Sequence, residues 1–245
     1  LNFILPLVAL LLSSCQSFDD SGLKDYPIQV RAGVQSTKVA LDCTQLSWDE
    51  NDVLGLVAIA QSGVSGNTIL DVYETDGGSA SFTGNVTMEV EPELCVFTYP
   101  TNVAMQVDGA KRLINIDYGN QDGSHKPFLY AKENYSTPIA TTLKHVGAVL
   151  ELDVNIEGVK NITFKGNKSE HLYPLVLNLS TGELTHSNLS GESITVPVKN
   201  SGKTYMNVPP VNLTKGFTLI LEAEDGSLMY KSFSSDGTQN GGYDF

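Results

Sequence analysis

A cysteine that follows an apolar run and a pair of small residues is a substrate for thiol acylation, and this chain presents one at Cys15. Phe3 to Leu12 is apolar, broken only by Pro6, and Leu12-Ser13-Ser14 leads directly into the cysteine. The run is shorter than the ~20 apolar residues that cross a hydrocarbon core, so it has the length of a signal-peptide h-region. Leu-Ser-Ser-Cys resembles a bacterial lipobox, in which the signal is cut off just before the cysteine and the Cys15 thiol takes lipid. An ordinary signal peptide with an incidental cysteine is the plainer alternative. Acyl chains contribute about 0.8 kcal/mol per buried methylene, so several of them would hold the mature chain on a membrane.

The remaining candidates for chemistry fail on spacing. Gly202-Lys203-Thr204 imitates the end of a phosphate-binding loop, but Pro197 stands where the first glycine is required. Asp117 to Gly123 is similar to a calcium loop without its alternating acidic ligands, and Phe128 occupies the place of the bidentate glutamate. His125, His145, His171 and His186 are scattered, with no pair at ligand spacing. Gly63-Val64-Ser65-Gly66 is one residue too short for a nucleophile elbow. The expectation is a protein that is not an enzyme and needs no metal or cofactor.

Composition narrows the class. Lys+Arg 15 against Asp+Glu 28 gives a formal charge of −13, which argues against nucleic acid and anionic membrane surfaces as partners. A hydrophobic content of 41% is enough for real cores, and 22 glycines with many Asn, Ser and Thr residues point to frequent short turns. Asp19-Asp20, soon after Cys15, resembles the export signal of surface lipoproteins and equally suits a solvated linker. With Cys15 committed to lipid, Cys43 and Cys95 remain. An oxidising compartment permits a disulfide between them, and small buried apolar residues are the alternative reading.

The elements that position these residues are strands. Val53 to Ile59 is a continuous apolar run of strand length, to be buried on both faces. Turns at Ser62–Gly66 and Asp76–Gly78 bracket Ile69 to Tyr73, and Cys95 to Tyr99 is stopped by Pro100. Ala148 to Ile156 alternates apolar and polar with period two, and Glu157-Gly158 suggests a hairpin into Val159–Phe164. No stretch of helical length shows a 3.6 period. The expected architecture is all-β: a lipoprotein signal over 1–15, a tether over 16–27, and two β-sandwich domains over 28–138 and 139–245. The chain opens without Met or a basic n-region, and Tyr243-Asp244-Phe245 reads as the start of a further strand. A longer reading frame is therefore expected at both ends.

One order of motifs adds to this reading. Trp48-Asp49-Glu50-Asn51-Asp52-Val53-Leu54-Gly55, Phe97-Thr98-Tyr99-Pro100 and Gln121-Asp122-Gly123 come first. Pro127-Phe128-Leu129-Tyr130-Ala131, Leu143-Lys144-His145-Val146-Gly147-Ala148, Thr181-Gly182-Glu183-Leu184 and Pro209-Pro210 follow. The succession resembles the fimbrillin-like family of type V pilus lipoprotein subunits. The resemblance implies two tandem transthyretin-like Greek-key sandwiches, outer-membrane surface location and a structural or adhesive role as shaft, anchor or tip. It also implies that an arginine-specific protease removes the first strand and that a strand of the next subunit refills the groove. Family members continue past the equivalent of Tyr243-Asp244-Phe245 into the strands that include the donor. On this chain the processing bond would be Arg31-Ala32, with an ordinary solvent-facing arginine as the alternative. The implied partners are other pilin subunits, the outer membrane through the lipid anchor, and a host or bacterial surface ligand. A surface lipoprotein that binds glycan or host protein without polymerising is the competing function. Trp48, Tyr118 and Tyr135 are its candidate stacking residues, unless they pack in the core or in turns.

Overall fold

The computed structural model describes residues 22–35, 47–101, 105–168, 170–199, 203–234 and 243–244. Among them every regular element is a strand, so the chain is all-β as its turn-rich, period-two sequence requires. The first strands are β1 (Lys24–Val34), β2 (Val53–Ile59), β3 (Ser65–Thr75), β4 (Ser79–Met88) and β5 (Leu94–Tyr99). Then come β6 (Met105–Asp108), β7 (Leu113–Ile116), β8 (Leu129–Asn134), β9 (Ile139–His145) and β10 (Ala148–Leu152). The last are β11 (Val159–Gly166), β12 (Tyr173–Asn178), β13 (Leu184–Gly191), β14 (Ser193–Pro197), β15 (Thr204–Val208), β16 (Asn212–Leu213), β17 (Phe217–Ala223), β18 (Leu228–Phe233) and β19 (Tyr243–Asp244).

Seven strands close into a barrel in the order β1-β4-β3-β2-β5-β8-β9. The antiparallel set β1-β4-β3-β2 is a Greek key, with β1 returning beside the far strand of the β2–β4 meander. Closure comes from β9, which runs parallel to β1 from Val30↔Ile139 to Val34↔Leu143. A Greek-key β-sandwich is expected here, and the parallel β1–β9 pairing joins two of its edges. Inside lies a core of Ile28, Val30, Leu54, Leu56, Leu70, Phe82, Phe97 and Leu129, all at most 2% exposed.

The other strands form two four-stranded sheets, β14-β11-β17-β18 and β13-β12-β7-β6, with the short pairs β10-β15 and β16-β19. Their shared core holds Ile114, Ile116, Phe164, Leu175, Ile194, Met206 and Val208. The same core takes in Val57, Ile59, Val96 and Tyr130, which belong to β2, β5 and β8 of the barrel. One wall of the barrel therefore serves two cores, which is why Val53–Ile59 is apolar on consecutive residues rather than alternate ones.

The strand pairing divides the chain differently from a cut after residue 138. β9, expected to open the second domain, completes the barrel on β1 and β8. β6 and β7, expected in the first domain, pair with each other and extend the second unit's sheet through β7 on β12, from Leu175↔Ile116 to Asn178↔Leu113. β1 starts at Lys24, inside the stretch expected as tether. Pro27 is accommodated within it where β1 has β4 as its ladder partner and β9 has not yet begun. The hairpin expected at Glu157-Gly158 is a turn, with Gly158 at φ 78°, but its flanking strands part company. β10 pairs with β15, whereas β11 pairs with β14 and β17.

Candidate functional site

The residues around Arg31 and Ala32 were the sequence's candidates for processing, and both lie in β1. That strand alternates strictly. Ile28, Val30 and Ala32 are 0–2% exposed and point into the barrel core, while Gln29 and Arg31 face solvent. Burying Ile28 and Val30 contributes about 1.5–3 kcal/mol each. The ladder to β4 runs from Lys24↔Met88 to Gly33↔Ser79. The ladder to β9 covers only Val30 to Val34. β1 is thus held on one side along its N-terminal half and on both sides around the Arg31-Ala32 bond.

The Arg31 guanidinium is engaged. Its Nη2 pairs with the Asp76 carboxylate and donates to Ser79 Oγ at 3.1 Å. Asp76 and Ser79 flank the turn between β3 and β4, where Asp76 Oδ1 also accepts from Ser79 N at 3.1 Å and from Ser79 Oγ at 2.7 Å. These Ser79 hydrogen bonds, with the nearby guanidinium, hold the Asp76 carboxyl below the usual carboxylate range. Sequence reasoning missed the Asp76–Ser79 partner set. The turn itself was readable, but its position against Arg31 depends on the register of β1 on β4, which no local signal fixes.

Of the other site residues, Cys15 and Cys43 lie outside the described residues. Cys95 is a fully buried free thiol on β5, opposite Ala58, and burial pushes its pKa up to about 12. Trp48 and Tyr118, the candidate stacking aromatics, are 4% and 0% exposed. Trp48 packs edge-on between Phe82 and Tyr99, each at 5.2 Å. Tyr118 donates its hydroxyl to the Val146 carbonyl at 2.7 Å. Tyr135 is half-buried, edge-on to Tyr26 at 6.1 Å. Buried as they are, Trp48 and Tyr118 offer no open ring face of the kind a sugar platform needs. A depression of about 420 Å³ at the junction of β5, β8 and the β12–β13 turn is lined by Leu94, Arg112, Lys132 and Glu133. Its cations are already engaged, Arg112 with Glu93 at 2.9 Å and Lys132 with the Leu179 carbonyl.

The short motifs that ordered the sequence meet at structural joints. Asp49 and Asp52 close the turn after Trp48, with Asp49 Oδ1 accepting from Asn51 N at 2.7 Å and Asp52 Oδ2 from Asp49 N at 2.9 Å. The Tyr99 hydroxyl donates to Asp52 Oδ1 at 3.1 Å, which ties the Trp48 motif to the Phe97–Pro100 motif. Gln121 and Asn207 interlock: Asn207 N donates to Gln121 Oε1 at 2.6 Å, and Gln121 Nε2 donates to the Asn207 carbonyl at 2.9 Å. Asn207 Oδ1 accepts from Phe128 N at 3.0 Å. Gly147 takes φ 85° with the Val208 carbonyl 2.1 Å from where a Cβ would sit, so only glycine fits.

No protein-family model matches the chain, and no curated protein matches it. Solved structures do. A proposed cell adhesion protein of Bacteroides uniformis superposes with a TM-score of 0.50 at 13% identity, covering 89% of this chain and 88% of that one. A proposed cell adhesion protein of Bacteroides ovatus gives 0.47 at 16% identity, covering 85% and 86%. The tip fimbrial protein Mfa3 of Porphyromonas gingivalis, with a C-terminal truncation, gives 0.35 at 13% identity, covering 89% and 84%. At these identities the likeness concerns architecture, and the chain is an all-β protein with the fold of the Bacteroides uniformis protein.

Proposed function

We propose that this chain is a fimbrillin-like structural and adhesive subunit of a surface filament, in which β1 is the strand given up and replaced during assembly. The observation that carries the reading is the construction of β1. It is the first strand among the described residues, its inward side chains Ile28, Val30 and Ala32 fill a closed core, and its N-terminal half has one ladder partner. Its departure would leave unsatisfied backbone groups on β4 and apolar pockets in the barrel, which a strand from another subunit can fill by β-augmentation. Repetition of such a head-to-tail contact extends a filament rather than closing a ring. The resemblance of the motif order to fimbrillin-like lipoproteins supports the same role. It adds lipid on Cys15, export to the outer surface and processing at Arg31-Ala32. The buried positions of Trp48 and Tyr118 speak against the glycan-binding alternative.

N-terminal analysis of the protein recovered from native surface material tests this. The reading expects a chain that starts at Ala32 and carries no lipid. A chain that starts at acylated Cys15 and is present in filaments would overturn removal of β1.

A further inference from the structure

Any protease that cuts after arginine must take the guanidinium into its own pocket and hold several flanking residues extended and free of other ladders. The folded chain denies both at Arg31. The guanidinium is held by Asp76 and Ser79, and residues 30–33 are paired on both sides, with β4 and with β9. Release is not symmetrical along the strand. Lys24 to Gln29 has its ladder to β4 alone, with the Thr137 hydroxyl reaching the Pro27 carbonyl at 3.5 Å, so β1 peels from its N-terminal end towards Arg31. Beyond Arg31 the strand stays anchored by Ala32↔Thr141, Gly33↔Thr142 and Val34↔Leu143, and by Gln35 N donating to the Leu143 carbonyl at 2.9 Å.

Resting on the reading that Arg31-Ala32 is the processing bond, we propose that the Asp76–Ser79 turn is a latch that withholds Arg31 from an arginine-specific protease until β1 has peeled. The cut itself is a hydrolysis. The C–N bond between Arg31 and Ala32 breaks, and water supplies a hydroxyl to the Arg31 carbonyl carbon and a proton to the Ala32 nitrogen. Lys24–Arg31 then leaves with Ile28 and Val30. Ala32–Val34 remains as a stub between β4 and β9 and keeps the far end of the groove closed. The vacated groove is accordingly the length of Lys24–Arg31 and no longer.

The sequence supplies its own control, because Arg31 and Arg112 are the only arginines. Arg112 sits in the turn between β6 and β7, paired with Glu93 rather than with the latch. The full chain is digested with an arginine-specific endoprotease, and cleavage at each site is timed by mass spectrometry for the wild type, Asp76→Asn and Ser79→Ala. Asp76→Asn removes the charge facing Arg31 and keeps a side-chain oxygen for the turn. The ion pair is about half exposed on both sides, so its loss should speed cleavage at Arg31 by up to about five-fold. The rate at Arg112 should not change. An unchanged Arg31 rate in Asp76→Asn, or equal acceleration at both arginines, would overturn the latch. The two readings fail separately. If native material keeps β1 while Asp76→Asn still selectively speeds cleavage at Arg31 in vitro, the latch stands and the processing assignment falls. If native material starts at Ala32 and Asp76→Asn has no effect, the latch alone falls.

Discussion

Leu56 and Val57 are consecutive residues of β2 that belong to different hydrophobic cores. Leu56, 1% exposed, points into the barrel, and Val57 packs on the core of the second unit. The chain crosses between the two units after β5, before β8 and again after β9, so the barrel and the second unit are built from interleaved segments. Separating them at residue 138 would take β9 from the barrel and β7 from β12. Neither a 28–138 fragment nor a 139–245 fragment should give the dispersed amide proton spectrum of the whole chain. A 139–245 fragment that melts cooperatively by itself would contradict this.

The Asn207 side chain, beside the Gln121 interlock, should be a stability hot spot. Asn207 is 4% exposed, accepts from Phe128 N, and donates to the Lys126 carbonyl at 3.0 Å. Asn207→Ala leaves the buried Phe128 N and the Lys126 carbonyl without these partners, at a cost of about 2–4 kcal/mol. Chemical denaturation should report that loss as a lower midpoint with an unchanged slope. A loss below about 0.5 kcal/mol, typical of a surface substitution, would show that the Asn207 side-chain bonds are dispensable.

Most strands were legible in the sequence, and their partners were not. Val53–Ile59 and the turn after β3 emerged as read, because apolar runs and glycine-rich turns are local signals, whereas β3 starts at Ser65, inside the turn expected at Ser62–Gly66. The period-two pattern after Ala148 identified a strand but could not say that its ladder lies with β15 rather than with β11. β9 opens the domain expected over 139–245, yet its alternation fits equally well beside β1. Of the candidate site, Arg31 could be placed on a strand from sequence. Its Asp76 and Ser79 partners could not, since they depend on long-range register. The motifs around Trp48, Gln121 and Gly147 proved to be joints of the fold, a role that depends on long-range partners no local signal gives.

Two half-buried histidines, His125 and His145, should make stability depend on pH. Burial lowers the pKa of His125 below 6.5, partly offset by Glu151, and its ring lies 4.5 Å from that of Tyr205. Burial lowers that of His145 as well, with the neighbouring charge of His125 adding to the effect. Each is easier to protonate in the unfolded chain. Their contribution is therefore complete above pH 6.5 and is lost as pH falls through the lower folded values. Unfolding midpoints measured across that range should decline on acidification, and the His125→Gln, His145→Gln double variant should flatten the decline. An identical profile in the variant would show that other groups govern it.

Cys95 should be inert while the chain is folded. Its thiol is buried and its pKa is raised to about 12, so alkylation at neutral pH should leave it unmodified until denaturant is added. Mass spectrometry of the Cys95 peptide decides this. If labelling in denaturant also needed a reductant, Cys95 would be in a disulfide, with Cys43 the expected partner.

The most direct measurement of strand replacement is to prevent it. Gln29 and Thr83 are exposed cross-strand partners on β1 and β4, and a Gln29→Cys, Thr83→Cys pair lies at the spacing a disulfide can bridge. The full-length oxidised variant, expressed on cells, should reach the surface but fail to enter filaments, and mild reduction should restore incorporation. Filaments that assemble equally well with β1 locked to β4 would contradict the account.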